Sequence, residues 1–443
     1  MIAKALERGL GRLLETWRAL SLDAKVVGAI AIGNWLLLFF NHTTVAATRD
    51  EVLWHLFPGA LGPLWLALCG ALAIGYPLRD ARDGARFSTR ARATHLALVV
   101  IAFVVLPTLA SIVLRETGKP YTYVHDGAIM VEEAARKLLR GQNPYVADYL
   151  DTPLFFWPMV NNPALYHFTY FPLLFLVTIP FVLAFDAAAL PWDERFLYLP
   201  AFAATLAVLP RLVRRADQRL ALVAAVALNP QLFPFVVEGR NDFFVLLWIF
   251  AGVALLQRER RTLACLAFAL GAASKLHAAL LLPFVALFLL RRHPAPRLLL
   301  REAAPALLLL VVLFLPFLVN DFGAFWDDVV RYNAGGAAWS YPISGVGFSA
   351  LLLALGVIQS RQSDFPFLIF ELLVAVPLAV WSLRRLWRAP SVANLLTGFA
   401  LTLLGFLFVG RYFQGNYAGF VAAVATPAAF LTTSGPREGA RRR

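Results

Sequence analysis

Long apolar runs alternate with short polar punctuation along almost the whole chain. Runs of roughly 15 to 20 apolar residues recur from Val26 to Leu431, and at ~1.5 Å per residue each is about long enough, as a helix, to cross ~30 Å of hydrocarbon. No soluble domain of ordinary size fits between them. With 60% hydrophobic and only 15% charged residues in 443, the composition belongs to a bilayer and not to a soluble domain of this length. The expected fold class is an all-α polytopic membrane protein.

Charge sharpens the picture. The net charge is +13, yet Lys and Arg sit in short clusters between apolar runs and not on one amphipathic face, which argues for topology signals and against nucleic acid as a partner. If every apolar run crossed, Arg211, Arg214, Arg215 and Arg219 would face one side and Arg384, Arg385 and Arg388 the other, against the cytoplasmic preference of basic loops. Two runs are therefore read as re-entrant or interfacial: Tyr170 to Ala184, interrupted by Pro172 and Pro180, and Gly347 to Val357, too short to span. The remainder gives about twelve crossings, near 26–41, 60–77, 95–114, 196–210, 220–236, 243–256, 262–274, 277–290, 302–319, 365–383, 393–410 and 416–432.

This assignment puts most of the 40 basic residues on the side shared by both termini, so both ends are expected in the cytoplasm and the protein in the cell (inner) membrane. The organisation is then a cytoplasmic amphipathic segment 1–25 without a cleavage pattern, a single membrane domain 26–432 and a basic tail 433–443. Two large loops, 115–195 and 320–364, fall outside, on the extracytoplasmic face. Loops held on a rigid helical scaffold commonly carry function. Cys69 and Cys265 lie inside apolar runs and read as packing residues, with neither a disulfide framework nor a Cys-based metal site in prospect.

The densest polar stretch is Tyr121 to Tyr145. It predicts a short helix with Asp126 as its cap, Ala128, Val131, Ala135, Leu138 and Leu139 on its apolar face and Gly141 as its end; such a helix is expected to lie on the membrane surface. His125 precedes it as a surface or supporting residue. A carboxylate here suits glycosyl transfer, because an acceptor hydroxyl is a poor nucleophile until a base takes its proton. Asp126 is the candidate base, with Asp148, Asp151, Asp50 and Glu51 as rivals.

Further polar clusters interrupt the apolar runs. Glu238-Gly-Arg-Asn-Asp242 places Arg240, Asn241 and Asp242 at membrane depth, where ionisable groups mark function by default, although an internal ion pair of Arg240 with Glu238 or Asp242 is the structural alternative. Ser274-Lys-Leu-His277 offers Lys275 and His277 to a phosphate, unless Lys275 is a snorkelling helix-end lysine. Arg331, Trp339 and Tyr341 with Arg411, Asn416 and Tyr417 complete this face. Several basic groups facing outward suit a phosphate or pyrophosphate headgroup. Nucleotide sugars, ATP and catalytic zinc have no motif support.

These residues resemble a family, the bacterial polyprenyl-phosphate-mannose-dependent α-mannosyltransferases that build phosphatidylinositol mannosides, in glycosyltransferase family 87 of the GT-C class. The likeness runs from about Tyr121 to Leu290 and rests on the order of short motifs: Asp126 with the helix after it and Leu138 to Tyr145, then Tyr170-Phe-Pro-Leu173, Gly239 to Asp242, and Gly271-Ala-Ala-Ser-Lys275 before Leu281-Leu-Pro283. The resemblance implies a GT-C-like fold, an Asp base in the first large outer loop, a polyprenyl-phosphate-linked sugar donor in a lateral groove, a lipid or glycan acceptor, inversion at the anomeric carbon and usually no metal or cofactor. Tyr145 and Tyr170 fall at its motif positions. The presumed catalytic loop here follows the third span instead of the first, as if two helices, about Val26 to Tyr76, were added in front, which keeps Asp50 in competition. A lipid-linked oligosaccharide flippase, a non-catalytic assembly subunit and a glycan ligase or polymerase are the rival readings.

Overall fold

The computed structural model describes residues 11, 14–44, 57, 60–159, 161–292 and 295–432. Asp50 and Glu51 lie outside the described residues, as do the tail 433–443 and most of the first thirteen residues. The described chain is mostly helical. It runs α1 (Leu22–Thr44), α2 (Leu61–Asp83), α3 (Thr89–Thr117), α4 (Asp126–Leu139), α5 (Leu173–Ala187), α6 (Arg195–Val208), α7 (Ala216–Ala227), α8 (Asp242–Gln257), α9 (Arg261–Ala272), α10 (Leu282–Arg292), α11 (Pro296–Asn320), α12 (Phe367–Arg388), α13 (Val392–Phe408) and α14 (Gly415–Thr432), with shorter turns between.

Among the described residues, five helices are long and apolar enough to cross a membrane: Leu22–Phe40, Leu61–Arg86, Thr89–Thr117, Arg297–Asn320 and Phe367–Arg388. Two of them turn large apolar side chains outward, among them Leu308, Val319 and Leu373, which are 64, 76 and 65% exposed. Such surfaces fit hydrocarbon and not water. The chain is thus a polytopic membrane protein. Leu173–Ala187, Asp242–Gln257, Arg261–Ala272, Val392–Phe408 and Gly415–Leu431 are equally apolar but shorter, and they pack among the others, where protein can satisfy their helix ends.

Several expected boundaries shift for local reasons. The run 220–236 is broken after Ala227 by Asn229-Pro230, where Asn229 Oδ1 accepts from Gln231 N at 3.0 Å and Nδ2 donates to Gly419 O at 3.1 Å. The run 277–290 divides into a four-residue turn, Leu276–Ala279, and α10, at the end of which Arg291 and Arg292 donate to the backbone carbonyls of Trp387 and Pro390. Tyr170 to Ala184 becomes α5, and Gly347 to Val357 a seven-residue helix, Phe348–Ala354.

The start of α4 departs from expectation. His125, not Asp126, takes the extended cap position, because its φ of −78° and ψ of 145° precede the first helical residue. The helix is also covered by protein. Residues on both its faces are buried, Ile129, Val131, Ala134 and Ala135 in an apolar cluster with α5 and Glu132 in a charge cluster, so its polar side is neutralised by protein.

That charge cluster fixes the loops. Arg115, at the end of α3, grips Glu132 through two parallel bonds of 2.8 and 2.7 Å and reaches Asp193 at 2.9 Å. Arg195, fully buried at the start of α6, meets the same carboxylate at 2.8 and 2.6 Å and donates to Ser111 Oγ and to the carbonyls of Tyr123 and Val237. Burial and the neighbouring Glu132 charge lift the Glu194 carboxyl to about 8, so it stays protonated at neutral pH and two guanidinium charges face two carboxylates. Fork-to-fork geometry and complete hydrogen bonding are what make such burial tolerable.

A second tie joins the loop before α5 to the segment after α11. His167 Nδ1 lies 2.6 Å from Asp328 Oδ1, its Nε2 faces Ala338 O, and Phe168 N donates to Asp328 Oδ2 at 2.8 Å. Both ring nitrogens meet acceptors, so the imidazolium is the species that fits. Burial disfavours it, but Asp328 and the Ala338 carbonyl outweigh burial and raise the His167 pKa; burial likewise lifts Asp328 to about 6.

Two predictions follow from these clusters. Arg115→Met leaves Glu132 and Asp193 short of a counter-charge and is expected to destabilise the protein by about 3–5 kcal/mol, read as a lowered thermal unfolding midpoint in detergent. His167 and Asp328 both hold protons more tightly folded than unfolded, so their stabilisation is present at low pH and lost as pH rises through the folded values. The unfolding midpoint should fall between about pH 5 and 8, and His167→Gln should flatten that slope.

Candidate active site

One cavity of about 180 Å³ opens where the start of α4, the loop before α5, the turns before and after α8 and α9, and the approach to α14 converge. Its walls include His125, Asp126, Tyr170, Arg240, Asn241, Lys275, His277, Arg411 and Asn416. Residues spread over almost three hundred positions in the chain thus meet in one place. Tyr145 and Asp242 stand just behind it. Tyr145 Oη donates to Tyr170 O at 2.9 Å from a cage of aromatic rings, the nearest being Phe325 at 4.8 Å.

Asp126 is 7% exposed. Its Oδ1 accepts from Gly127 N at 2.7 Å and lies 2.7 Å from His125 Nδ1. The same Gly127 N–H also reaches His125 Nδ1 at 3.0 Å, so imidazole, carboxylate and backbone N–H meet at the first turn of α4. Burial alone would push the Asp126 carboxyl up; the His125 imidazole, the Arg240 charge and the Gly127 N–H outweigh it and hold the group below the usual carboxylate range. Asp126 is therefore ionised at neutral pH and able to accept a proton. A β-carbon at 127 would collide with the Tyr170 hydroxyl, so glycine there lets Tyr170 close against the start of α4. Two of the rival acids sit elsewhere: Asp151 pairs with Lys137 at 2.6 Å on the surface, and Asp148 caps Leu150 N at 3.1 Å.

The turn that carries Arg240 is seated by the charge cluster, since Arg195 binds Val237 O and His125 N donates to Glu238 O at 2.8 Å. Arg240 pairs with Glu238 at 3.2 Å and donates to Gln414 Oε1 at 2.7 Å and Asn416 Oδ1 at 3.2 Å. Asp242 does not pair with Arg240; it accepts from Lys275 Nζ at 2.7 Å and from Asn416 Nδ2 at 3.1 Å. Asn416 thus bridges the arginine and the aspartate. Lys275 also stands 5.7 Å from the centre of the Tyr170 ring, within cation–π range. It is a buried, paired lysine and not a snorkelling one.

Three groups are left with capacity. Among the described residues, Asn241 Oδ1 and His277 Nε2 are buried with no hydrogen-bond partner, and Arg411, 2% exposed, has no carboxylate partner. Arg411 donates to Tyr341 O and to Ser363 O at 3.2 Å, which fixes the guanidinium without neutralising it. Its loop is held by a two-residue parallel pairing, Ser344 with Tyr412 and Gly345 with Phe413. Gly345, at φ +90°, has backbone where a side chain would stand.

The sequence reading passed over Tyr332, Asn333 and Glu371, which also line the cavity. Glu371 left a signal, as the lone carboxylate in the apolar run 365–383; Tyr332 and Asn333 left none beyond belonging to an outer loop. Among the described residues no cluster of three His, Cys, Asp or Glu side chains is placed to hold a metal ion.

The family model Glycosyltransferase family 87 matches residues 168–410, more than half of the 443 residues. The match takes in Tyr170, Arg240, Asn241, Asp242, Lys275 and His277, and leaves His125, Asp126, Tyr145, Arg411 and Asn416 on its flanks. No curated protein matches the chain. A polytopic helical membrane protein whose central half carries this match, with a buried carboxylate and several cations around one cavity, belongs to glycosyltransferase family 87 and is a membrane glycosyltransferase.

Proposed function

We propose that the protein transfers a sugar, mannose by the resemblance, from a polyprenyl-phosphate-linked donor to a lipid or glycan acceptor at the extracytoplasmic face of the cell membrane. The observation that carries this reading is the meeting of ionised Asp126 with Arg240, Lys275, His277 and Arg411 around one cavity. An inverting displacement needs a base for the acceptor hydroxyl and a positive counterpart for the departing phosphate. Asp126, steadied by His125, takes the proton as the hydroxyl attacks the anomeric carbon. Arg411, with no ion pair among the described residues, together with Arg240 and Lys275, receives the phosphate, and His277 Nε2 and Asn241 offer further hydrogen bonds. Tyr145 and Tyr170 support the wall. On the expected topology of about twelve crossings with both termini cytoplasmic, this cavity would lie at the outer membrane–water interface.

The reading is tested by transfer of radiolabel from polyprenyl-phosphate-mannose to membrane lipid extract by purified protein. Asp126→Asn is expected to lower transfer by about 10²–10⁴-fold with an unchanged unfolding midpoint; full activity in that variant removes the base. Lys275→Met strands Asp242 and should lose both stability, by about 3–5 kcal/mol, and activity. Adding Asp242→Asn should restore the unfolding midpoint but not the transfer rate; recovery of both would make Lys275 a purely structural partner.

A further inference from the structure

Glu371 is an unexpected wall of the cavity. It lies on α12, a helix long and apolar enough to cross a membrane, about one turn (~6 Å) from its start. It is 7% exposed and makes no hydrogen bond or ion pair with any described residue. A β-carbon on Gly410 would fall 2.7 Å from its Oε1, so the bare backbone at 410 leaves the carboxylate its room. Leu368, Phe406 and Leu407 line the cavity with it.

Packing gives no reason for a carboxylate here. A buried acid without a partner destabilises a fold, and leucine or methionine would fill the same space better. Its partner is therefore sought in a ligand. A carboxyl group pairs with hydroxyls in either protonation state, while its ionised form repels phosphate, which favours the neutral, hydroxyl-rich part of a substrate over the donor's headgroup. We propose that Glu371 is a positioning and specificity residue that holds a sugar ring in the cavity by accepting hydrogen bonds from its hydroxyls. This rests on the cavity being the site of glycosyl transfer. The ring belongs either to the transferred sugar of the donor or to the acceptor, which present the same chemistry.

Full-length protein in nanodiscs, as wild type, Glu371→Gln and Glu371→Leu, is measured for calorimetric binding of methyl and hexyl glycosides of mannose and glucose, for KM and kcat of transfer, and for unfolding midpoint. Both variants are expected to unfold at or above the wild-type temperature and to bind a glycoside about tenfold more weakly or worse, the loss of a charge-assisted hydrogen bond. A raised KM for donor alone assigns the ring to the transferred sugar, and a raised KM for acceptor alone assigns it to the acceptor; either supports the proposal. Absence of glycoside binding by the wild type, unchanged binding in both variants, or a lowered midpoint in Glu371→Leu that Glu371→Gln restores would overturn it. Should the wild type transfer no polyprenyl-phosphate sugar, the transfer reading fails on its own while glycoside binding still decides the role of Glu371.

Discussion

Everything at the cavity hangs on four charges buried away from water. Arg115 and Arg195 between them bind Glu132 and Asp193 and several backbone carbonyls, and these groups come from α3, α4, α6 and the turn before α8. Take any of them out of register and the others become unpaired charges in a low-dielectric setting, an energetic penalty too large for alternative packings to share. One consequence is orientation. The first turn of α4, with Asp126, is pressed against the turn of Arg240 because Arg195 holds Tyr123 O on one side and Val237 O on the other.

The electrostatics of the cavity follow the same rule. Arg240 and Lys275 are set by protein carboxylates, Glu238 and Asp242, and by the amides of Gln414 and Asn416, so their positions do not wait for a substrate. Charge held ready in a partly dry site stabilises developing negative charge without reorganisation at the moment of reaction. Arg411 differs in being fastened through backbone carbonyls, which leaves its full charge to act on whatever enters.

The apolar runs made the membrane class legible, and the polar interruptions at Glu238 to Asp242, Ser274 to His277 and Arg411 to Tyr417 pointed to residues that do line one cavity or stand behind it. Their order along the chain carried the family resemblance, which the match over 168–410 bears out. What stayed hidden was pairing. Spacing offered Arg240 either Glu238 or Asp242; it takes Glu238, and Asp242 takes Lys275 from the end of another helix, a choice made by tertiary geometry. The burial of α4 was hidden for a similar reason, because its polar stripe looked solvent-bound until Arg115 supplied a partner from a separate helix.

The bridging role of Asn416 bears on how the molecule is made. Asp242 and Asn416 are 174 residues apart, and at ~5–20 residues per second a ribosome needs roughly 9 to 35 seconds to travel between them. During that interval Arg240 has Glu238 and Asp242 has Lys275, each a provisional partner encoded nearby or one hairpin away. Neither charge is left waiting for Asn416. Docking of α14 then joins two separate ion pairs into one connected site, so the site's charges are partnered locally before its geometry is assembled.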